Sequence, residues 1–266
     1  MRVRPVDYHL HSRFSVDSEM EPAALCQRAV ELGYGEVGFA EHVDFDPADE
    51  GFGYYDDDAY GRTIEELRAR FAGRLTVLKG LELDFQERYQ SETARFLERC
   101  DFDYVVGSVH YLDGYFMDRR GLSARPLEVT YRIYERETRA LLASGMVDIL
   151  GHLDYARRRA VGLLPSEEVE RFAPLMAELA GEAARAGLLL EVNVQRGKLP
   201  LPTRQVLQAY LQAGGPGVVV GTDSHSLKEF EGGWERSVDY LREAGLTRLA
   251  LLRDRRARWV SFSDDQ

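Results

Sequence analysis

The sequence predicts a closed α/β barrel built on a parallel sheet, and three observations lead to this fold class. Short runs rich in Val, Ile and Leu alternate with longer amphipathic stretches along the 266 residues. Seven or eight such units recur, and no Pro- or Ser-rich stretch or low-complexity tract interrupts them. So many units in one chain fit one barrel better than two doubly wound domains. We therefore expect a single domain over residues 1–266.

The apolar runs predict the strands, and the amphipathic stretches between them predict the helices. The predicted strands are Val6–Leu10, Val37–Ala40, Leu75–Leu83, Tyr104–Val109, Val147–Leu150, Leu188–Val194 and Val218–Gly221, with a further run at Arg258–Phe262. The predicted helices are Pro22–Leu32, Asp58–Ala72, Ser91–Glu98, Leu127–Ser144, Ser166–Ala186, Thr203–Ala213 and Trp234–Ala244. The polar segment Asp44–Asp58 is unlike a helix, so we expect a long loop over one mouth of the barrel.

The composition excludes several classes of protein. With 34 Lys and Arg against 45 Asp and Glu, the chain carries a net charge of −11 and would repel a nucleic-acid backbone. Two cysteines, Cys26 and Cys100, cannot form a disulfide framework, which favours a reducing compartment. No apolar run approaches the ~20 residues that span a bilayer, and no signal-like stretch begins the sequence. We expect a cytoplasmic protein without nucleic-acid or membrane partners, and the sequence indicates no oligomeric state.

The histidines fall at or just beyond the ends of predicted strands. The chain has six of them, namely His9, His11, His42, His110, His152 and His225. His9 and His11 are two residues apart, so both side chains point to the same face of a strand and could hold one metal ion. A lone His-x-His is more often an ordinary pair of histidines, so the prediction of a metal depends on what else converges there.

Carboxylates occur at matching places. Asp17 follows the first strand, Glu82 ends the third, and Asp223 precedes His225 after the seventh. Taken singly, such a residue is more often a helix cap. Because the active sites of these barrels lie at the C-terminal ends of the strands, we expect the six histidines and three carboxylates to converge there. A catalytic zinc ion takes about three protein ligands, so nine candidates suggest two or three ions that share a bridging carboxylate.

Seven motifs in this order resemble the polymerase-and-histidinol-phosphatase (PHP) family, and within it the monofunctional histidinol-phosphate phosphatases. The motifs are DYHLHSRFSVDS, AEHVD, GLELD, GSVHYLD, GHLDYARR, EVN and GTDSH, and they run from Asp7 to His225. The resemblance implies a distorted (β/α)7 barrel, similar to a TIM barrel, with a trinuclear metal centre at its C-terminal face.

The resemblance also implies the ligands of each metal ion. The first ion would be held by His9, His11, Glu82 and Asp223, and the second by Glu82, His110 and His152. The third would be held by Asp17, His42 and His225. The position of Asp17 is a histidine in many members of the family. Histidine and carboxylate ligands suit Zn, Mn or Fe as the three divalent ions. Every histidine is then a ligand, so none is left as a general acid or base.

The implied activity is hydrolysis of L-histidinol phosphate to L-histidinol and phosphate in histidine biosynthesis. Three divalent ions with the charges of Asp17, Glu82 and Asp223 leave the site at about +3, so an acidic protein can still bind phosphate. A hydroxide between two ions would attack phosphorus in line. No Cys or Ser lies in a phosphatase-type nucleophile motif, so we expect no covalent phosphoenzyme.

Three further residues are predicted to serve the substrate. Histidinol phosphatases of this family commonly carry one arginine soon after a Glu-x-Asn motif and another directly after the last Asp-x-His. Here Arg196 follows Glu191 in this way, but the second position is Ser226. Arg158 matches a basic position often seen after the GHLDY-type motif, with a solvated loop as the alternative. We expect Arg196 and Arg158 to bind phosphate, and Glu191 to face the substrate, to support a ligand or simply to pack within its strand.

Other functions remain open from the sequence. The same site could act on another small or nucleotide-derived phosphoester. A non-catalytic metal-binding barrel would show broken ligand sets and extra domains, and neither is present in the motifs. A metal-dependent amidohydrolase usually places a lysine ligand at a strand end in mid-chain, and none of Lys79, Lys198 and Lys228 fits that position cleanly.

Overall fold

A seven-stranded parallel sheet forms the centre of the computed structural model, which describes residues 5–253 and 255–262. The strands in chain order are β1 (Val6–Leu10), β2 (Glu36–Val43), β3 (Thr76–Asp84), β4 (Tyr104–Ser108), β5 (Tyr111–Leu112), β6 (Tyr115–Phe116), β7 (Ile149–Leu150), β8 (Leu189–Asn193), β9 (Val218–Gly221), β10 (Arg248–Arg253) and β11 (Arg256–Ser261). The central sheet has the order β1-β2-β3-β4-β7-β8-β9, and every neighbouring pair is parallel. This order follows the chain, as the alternation of strands and helices predicts.

Helices connect the strands of this sheet. In chain order they are α1 (Pro22–Glu31), α2 (Asp57–Phe71), α3 (Gln90–Leu97), α4 (Arg119–Ser123), α5 (Leu127–Ser144), α6 (Tyr155–Arg159), α7 (Ser166–Glu170), α8 (Ala173–Arg185), α9 (Arg204–Gln212), α10 (Leu227–Phe230) and α11 (Gly233–Glu243). The segment before α2 is a loop, as expected for the polar stretch after Val43. Among the described residues, no helix is both long enough and apolar enough to cross a membrane.

Hydrogen bonds between β1 and the segment after β9 close the sheet into a barrel. The backbone N–H of Asp223 donates to the carbonyl of His9 over 2.8 Å, and the N–H of His11 donates to Ser224 over 3.0 Å. The buried carboxylate of Asp7 accepts from the hydroxyl of Thr222 over 2.6 Å on the same seam. The closing bonds lie beyond the end of β9, which makes the barrel irregular and confirms the predicted distorted (β/α)7 fold.

The side chain of one buried tyrosine packs against two glycines of neighbouring strands. Tyr104 is fully buried, and its hydroxyl donates to the carbonyl of Tyr8 over 2.7 Å. A Cβ atom on either Gly38 or Gly80 would lie 2.2 Å from atoms of the Tyr104 side chain. The strands are buried on both faces, as in other parallel sheets covered by helices.

One predicted helix is wrong in detail. The stretch Ser166–Ala186 forms two helices, α7 and α8, because Pro174 has no backbone N–H and is tolerated only in the first turn of a new helix. The run Arg258–Phe262 forms a strand as predicted, and this strand, β11, pairs with β10 in an antiparallel hairpin outside the central sheet. Residues 1–4, 254 and 263–266 lie outside the described residues, so one domain over residues 1–266 stays a prediction.

Candidate metal centre

Nine side chains of the predicted ligand set lie together at the C-terminal mouth of the barrel. They are His9, His11, Asp17, His42, Glu82, His110, His152, Asp223 and His225. Each lies near the end of a strand of the central sheet or on the loop that follows. Parallel strands end at one mouth, which brings residues more than 200 positions apart into contact.

Glu82 lies at the centre of this cluster, and its Oε2 atom faces three imidazoles. It is 3.1 Å from Nε2 of His9, 3.5 Å from Nε2 of His11 and 3.3 Å from Nδ1 of His42. The carboxylate is 1% exposed. A buried carboxylate oxygen shared by three ring nitrogens is suited to ligate a cation together with them.

The other oxygen of Glu82 faces a second pair of imidazoles. Its Oε1 atom lies 2.8 Å from Nε2 of His152 and 3.6 Å from Nε2 of His110. It also accepts a hydrogen bond of 2.6 Å from the hydroxyl of Ser108 at the end of β4. The two oxygens of one carboxylate therefore face different sets of histidines, which is the geometry of a bridging ligand.

Asp17 and Asp223 lie on the third side of the cluster. The Oδ2 atom of Asp17 is 3.1 Å from Nε2 of His225 and 3.6 Å from Nε2 of His42. The Oδ1 atom of Asp223 is 3.4 Å from Nε2 of His11. Asp223 has a φ of 52°, in the left-handed region that non-glycine residues seldom adopt, and such backbone is common at functional sites.

The residues fit a metal centre, because some of their buried donor atoms lack a hydrogen-bond partner. The Nε2 atoms of His9 and His11 are buried and have no hydrogen-bond partner, which is costly unless a ligand binds them. Three groups of donor atoms within 4.8 Å of one another occur here, namely His9, His11 and Glu82; Glu82, His110 and His152; and His11, His42 and His225. The third group contains His11 instead of the predicted Asp17, which contacts it from outside.

The electrostatics give Glu82, His11 and His110 the protonation states that a metal requires, whereas nearby carboxylates outweigh burial and raise the pKa of His9 and of His42. Burial alone would raise the pKa of Glu82, but the imidazoles of His9 and His42 outweigh it and hold that pKa well below its usual value. Burial lowers the pKa of His11 and of His110 to about 3. Glu82 is thus ionised and both imidazoles are neutral at pH 7, as metal ligands must be.

Glu191 contacts two residues of the predicted ligand set. Its Oε1 atom is 2.7 Å from Nδ1 of His9, and its Oε2 atom accepts from the backbone N–H of His152 over 2.6 Å. It thereby holds the Nε2 atom of His9 toward Glu82. Of the three possibilities from the sequence, the geometry matches a carboxylate that supports a ligand.

Sequence reasoning missed further residues that orient the ligands. The carboxylate of Glu41 accepts from the hydroxyl of Ser15 over 2.6 Å, and that hydroxyl lies 3.1 Å from Nδ1 of His11. Asp84 accepts from the backbone N–H of His110 over 2.8 Å. Glu41 and Asp84 lie next to or two residues from a predicted ligand in their strands, and this proximity is the signal that could have identified them.

The two predicted substrate arginines are placed differently. Arg158 is 5% exposed, so a solvated position is wrong for it. Its Nη2 atom donates to Oδ1 of Asn193 over 2.7 Å, and its Nη1 atom lies 3.5 Å from Oδ2 of Asp223. Arg196 is exposed and donates to the carbonyl of Lys228. Arg158 therefore supports a predicted metal ligand from behind.

A cavity of about 740 Å³ opens over the cluster. Besides predicted ligands, its wall includes the cationic residues Arg120, Arg159 and Lys198, the aromatic residues Tyr111, Phe116 and Tyr155, and the acidic residues Asp44, Asp49 and Glu50. Arg158, Arg196 and Glu191 are not among the described residues that line it. The cations that face the cavity are thus not those predicted from the sequence.

A parallel barrel with a histidine- and carboxylate-rich cavity at the C-terminal ends of its strands defines the class of metal-dependent barrel hydrolases. Residues 7–195 match the model of the PHP domain. The chain belongs to the PHP family, which confirms the resemblance seen in its motifs.

Histidinol-phosphatases from other organisms align with nearly the whole chain. The histidinol-phosphatase of Lactococcus lactis is 27% identical over 260 residues, which are 93% of this chain and 94% of that protein. The probable histidinol-phosphatase of Deinococcus radiodurans is 28% identical over 90% of this chain and 93% of its own. The crystal structure of the Lactococcus lactis histidinol phosphate phosphatase, complexed with zinc, L-histidinol and phosphate, superposes with a TM-score of 0.82 at 25% identity and covers 96% of this chain and 99% of that one.

Proposed function

We propose that this protein hydrolyses L-histidinol phosphate to L-histidinol and phosphate with the help of divalent metal ions. The observation that carries the proposal is the position of Glu82, whose two oxygens face separate sets of imidazoles at the floor of a cavity. The similarity to a phosphatase crystallised with zinc, L-histidinol and phosphate supports the same chemistry here.

The nine clustered side chains would hold three ions, with Zn, Mn and Fe as candidates, and Glu82 would bridge two of them. When bound, divalent ions supply positive charge for the phosphate and lower the pKa of water toward ~7. The carboxylate of Glu191 keeps the Nε2 atom of His9 available by engaging Nδ1. Ser15 and Glu41 do the same for His11.

The remaining charges of the cavity would bind the phosphate. Arg120, Arg159 and Lys198 line the wall, and a guanidinium can make paired, charge-assisted bonds to phosphate oxygens. Arg158 would act indirectly by holding Asp223 in place. Arg196 follows Gln195, which lines the cavity, so direct phosphate binding by Arg196 stays a prediction.

The experiment is a phosphate-release assay on purified protein, after chelation and after reloading with Zn, Mn or Fe. The substrates are L-histidinol phosphate, adenosine monophosphate and p-nitrophenyl phosphate. We expect metal-dependent release that is fastest with L-histidinol phosphate. A rate that chelation leaves unchanged, or a higher kcat/KM for the nucleotide, would contradict the proposal and favour another phosphoester.

A cytoplasmic location also stays a prediction.

A further inference from the structure

Three aspartates outside the predicted ligand set meet beside the cavity, and two of them lie on its wall. One carboxylate oxygen from each of Asp44, Asp49 and Asp84 lies within 4.8 Å of the other two. Asp44 and Asp49 line the cavity from the loop after β2, and Asp84 ends β3. We call this group the acidic trio.

The acidic trio has no lysine or arginine partner among the described residues, and its basic contact is His110, whose Nδ1 atom lies 3.7 Å from Oδ1 of Asp84. Asp84 is 3% exposed, and its Oδ1 atom accepts from the backbone N–H of His110. Its Oδ2 atom is buried without a hydrogen-bond partner, which is costly for a carboxylate oxygen and leaves that atom for a ligand.

Gly51 keeps a space open beside the trio. A Cβ atom at this position would lie 2.3 Å from Oδ2 of Asp44 and 3.0 Å from Oδ1 of Asp49. The backbone N–H of Gly51 donates to the same Oδ1 of Asp49 over 2.6 Å and fixes that carboxylate. The loop thus presents an acidic surface that a larger residue would obstruct.

Two members of the trio lie just beyond predicted metal ligands in the sequence. Asp84 follows Glu82 by two residues within β3, so their side chains share a face and are about 7 Å apart along the strand, and Asp44 follows His42 by two residues just after the end of β2. In a phosphorylated amino alcohol, an ester oxygen and two carbon atoms separate phosphorus from the ammonium nitrogen. A phosphate held at the metal ligands would therefore carry its ammonium group toward the trio.

We propose that Asp44, Asp49 and Asp84 form a subsite for the ammonium group of a phosphorylated amino alcohol, an inference that rests on the proposed function. An ammonium group has three N–H donors, which match three carboxylates. The rings of Tyr111 and Phe116 lie on the same cavity wall, where they can pack on the rest of the molecule. The subsite selects substrates by their positive charge, whereas the metal ligands and wall cations bind the phosphate common to all phosphoesters.

The test compares Asp49→Asn with the wild-type protein on two substrates. Asn keeps an oxygen for the N–H of Gly51 but removes the charge. For L-histidinol phosphate we expect kcat/KM to fall by roughly 10- to 100-fold, the scale of one or two charged hydrogen bonds. For the analogue without the amino group, imidazolylpropyl phosphate, we expect less than a twofold change. Asp58→Asn, an exposed charge on α2 away from the cavity, is the matched control and should leave both values unchanged.

Two further measurements separate the possible outcomes. The first is calorimetry with L-histidinol itself, which carries the ammonium group but no phosphate. We expect Asp49→Asn to bind L-histidinol at least 10-fold more weakly than the wild-type protein. This result would stand even if the wild-type protein released no phosphate from L-histidinol phosphate. Equal losses on both substrates, or unchanged binding of L-histidinol, would overturn the subsite. Loss of one ion per chain in Asp49→Asn, or a requirement for added Mg²⁺ or Ca²⁺, would instead show that the trio binds a metal and would also overturn it.

Discussion

At the scale of single residues, carboxylates that do not face the cavity determine which nitrogen two of the histidines present. Glu191 engages Nδ1 of His9, and Glu41 reaches Nδ1 of His11 through Ser15. The ligands could be predicted because histidines and carboxylates recur at strand ends. Their supports were harder to predict, because Glu191 reaches His9 across the barrel seam, and the support of a ligand was one of three possibilities that its position in the sequence left open.

Replacing Glu191 with Gln should therefore weaken metal binding without removing a ligand. Glu191 uses both oxygens, one for Nδ1 of His9 and one for the N–H of His152, whereas Gln has a single acceptor oxygen and no charge, so one of the two contacts loses its acceptor. We expect a 10- to 100-fold loss of metal affinity, measured by competition with a chelator. Glu92→Gln, at an exposed position of α3, is the control. Unchanged affinity in Glu191→Gln would show that Glu191 only packs within its strand.

The cations of the cavity wall lead to a second prediction. Arg159→Ala should lower kcat/KM for L-histidinol phosphate by roughly 10- to 100-fold, because it removes charge-assisted bonds to the phosphate. Metal content should not change, since arginine is not a ligand. Arg196→Ala should have a smaller effect, because Arg196 is exposed and engaged with the carbonyl of Lys228. The reverse order of the two effects would restore the assignment made from the sequence.

At the scale of elements, the strands were predicted well because buried parallel strands are continuous apolar runs with sharp ends. The strand β10 was missed, and so were the shorter elements β5, β6, α4, α6 and α10, whose two to five residues are too few to show a period. Gly221 lies where strands β8, β9 and β1 meet, and the space there leaves no room for a Cβ atom. A Cβ atom there would lie 2.1 Å from Oε1 of Glu191 and 2.5 Å from Cβ of His9.

Gly221→Ala should therefore disturb both stability and the metal centre. Overpacking of a buried site costs about 1–3 kcal/mol, which corresponds to a fall in melting temperature of about 2–10 °C for a chain of this size. Differential scanning fluorimetry measures this, and metal affinity should fall together with it. Gly61→Ala is the matched control, because its added Cβ lies on α2 with no atom closer than 3.6 Å. There the melting temperature should rise or stay the same.

At the scale of the whole molecule, an acidic chain encloses a site for an anionic substrate. The net charge of −11 repels phosphate at long range, but three divalent ions would outweigh the three carboxylates that hold them. The barrel makes this possible by bringing strand ends from His9 to His225 to one mouth. The sequence revealed the ligand types and their order, whereas the acidic trio required the loop geometry around Gly51.

The content of metal in wild-type protein and in Glu82→Gln tests the central claim, that one carboxylate joins two metal positions. Inductively coupled plasma mass spectrometry on fully loaded protein should give about three ions per wild-type chain. Glu82→Gln should lose two of them, because the neutral amide no longer offsets the repulsion between neighbouring cations. A single ion in the wild-type protein, or three ions retained in Glu82→Gln, would contradict a bridging role for Glu82.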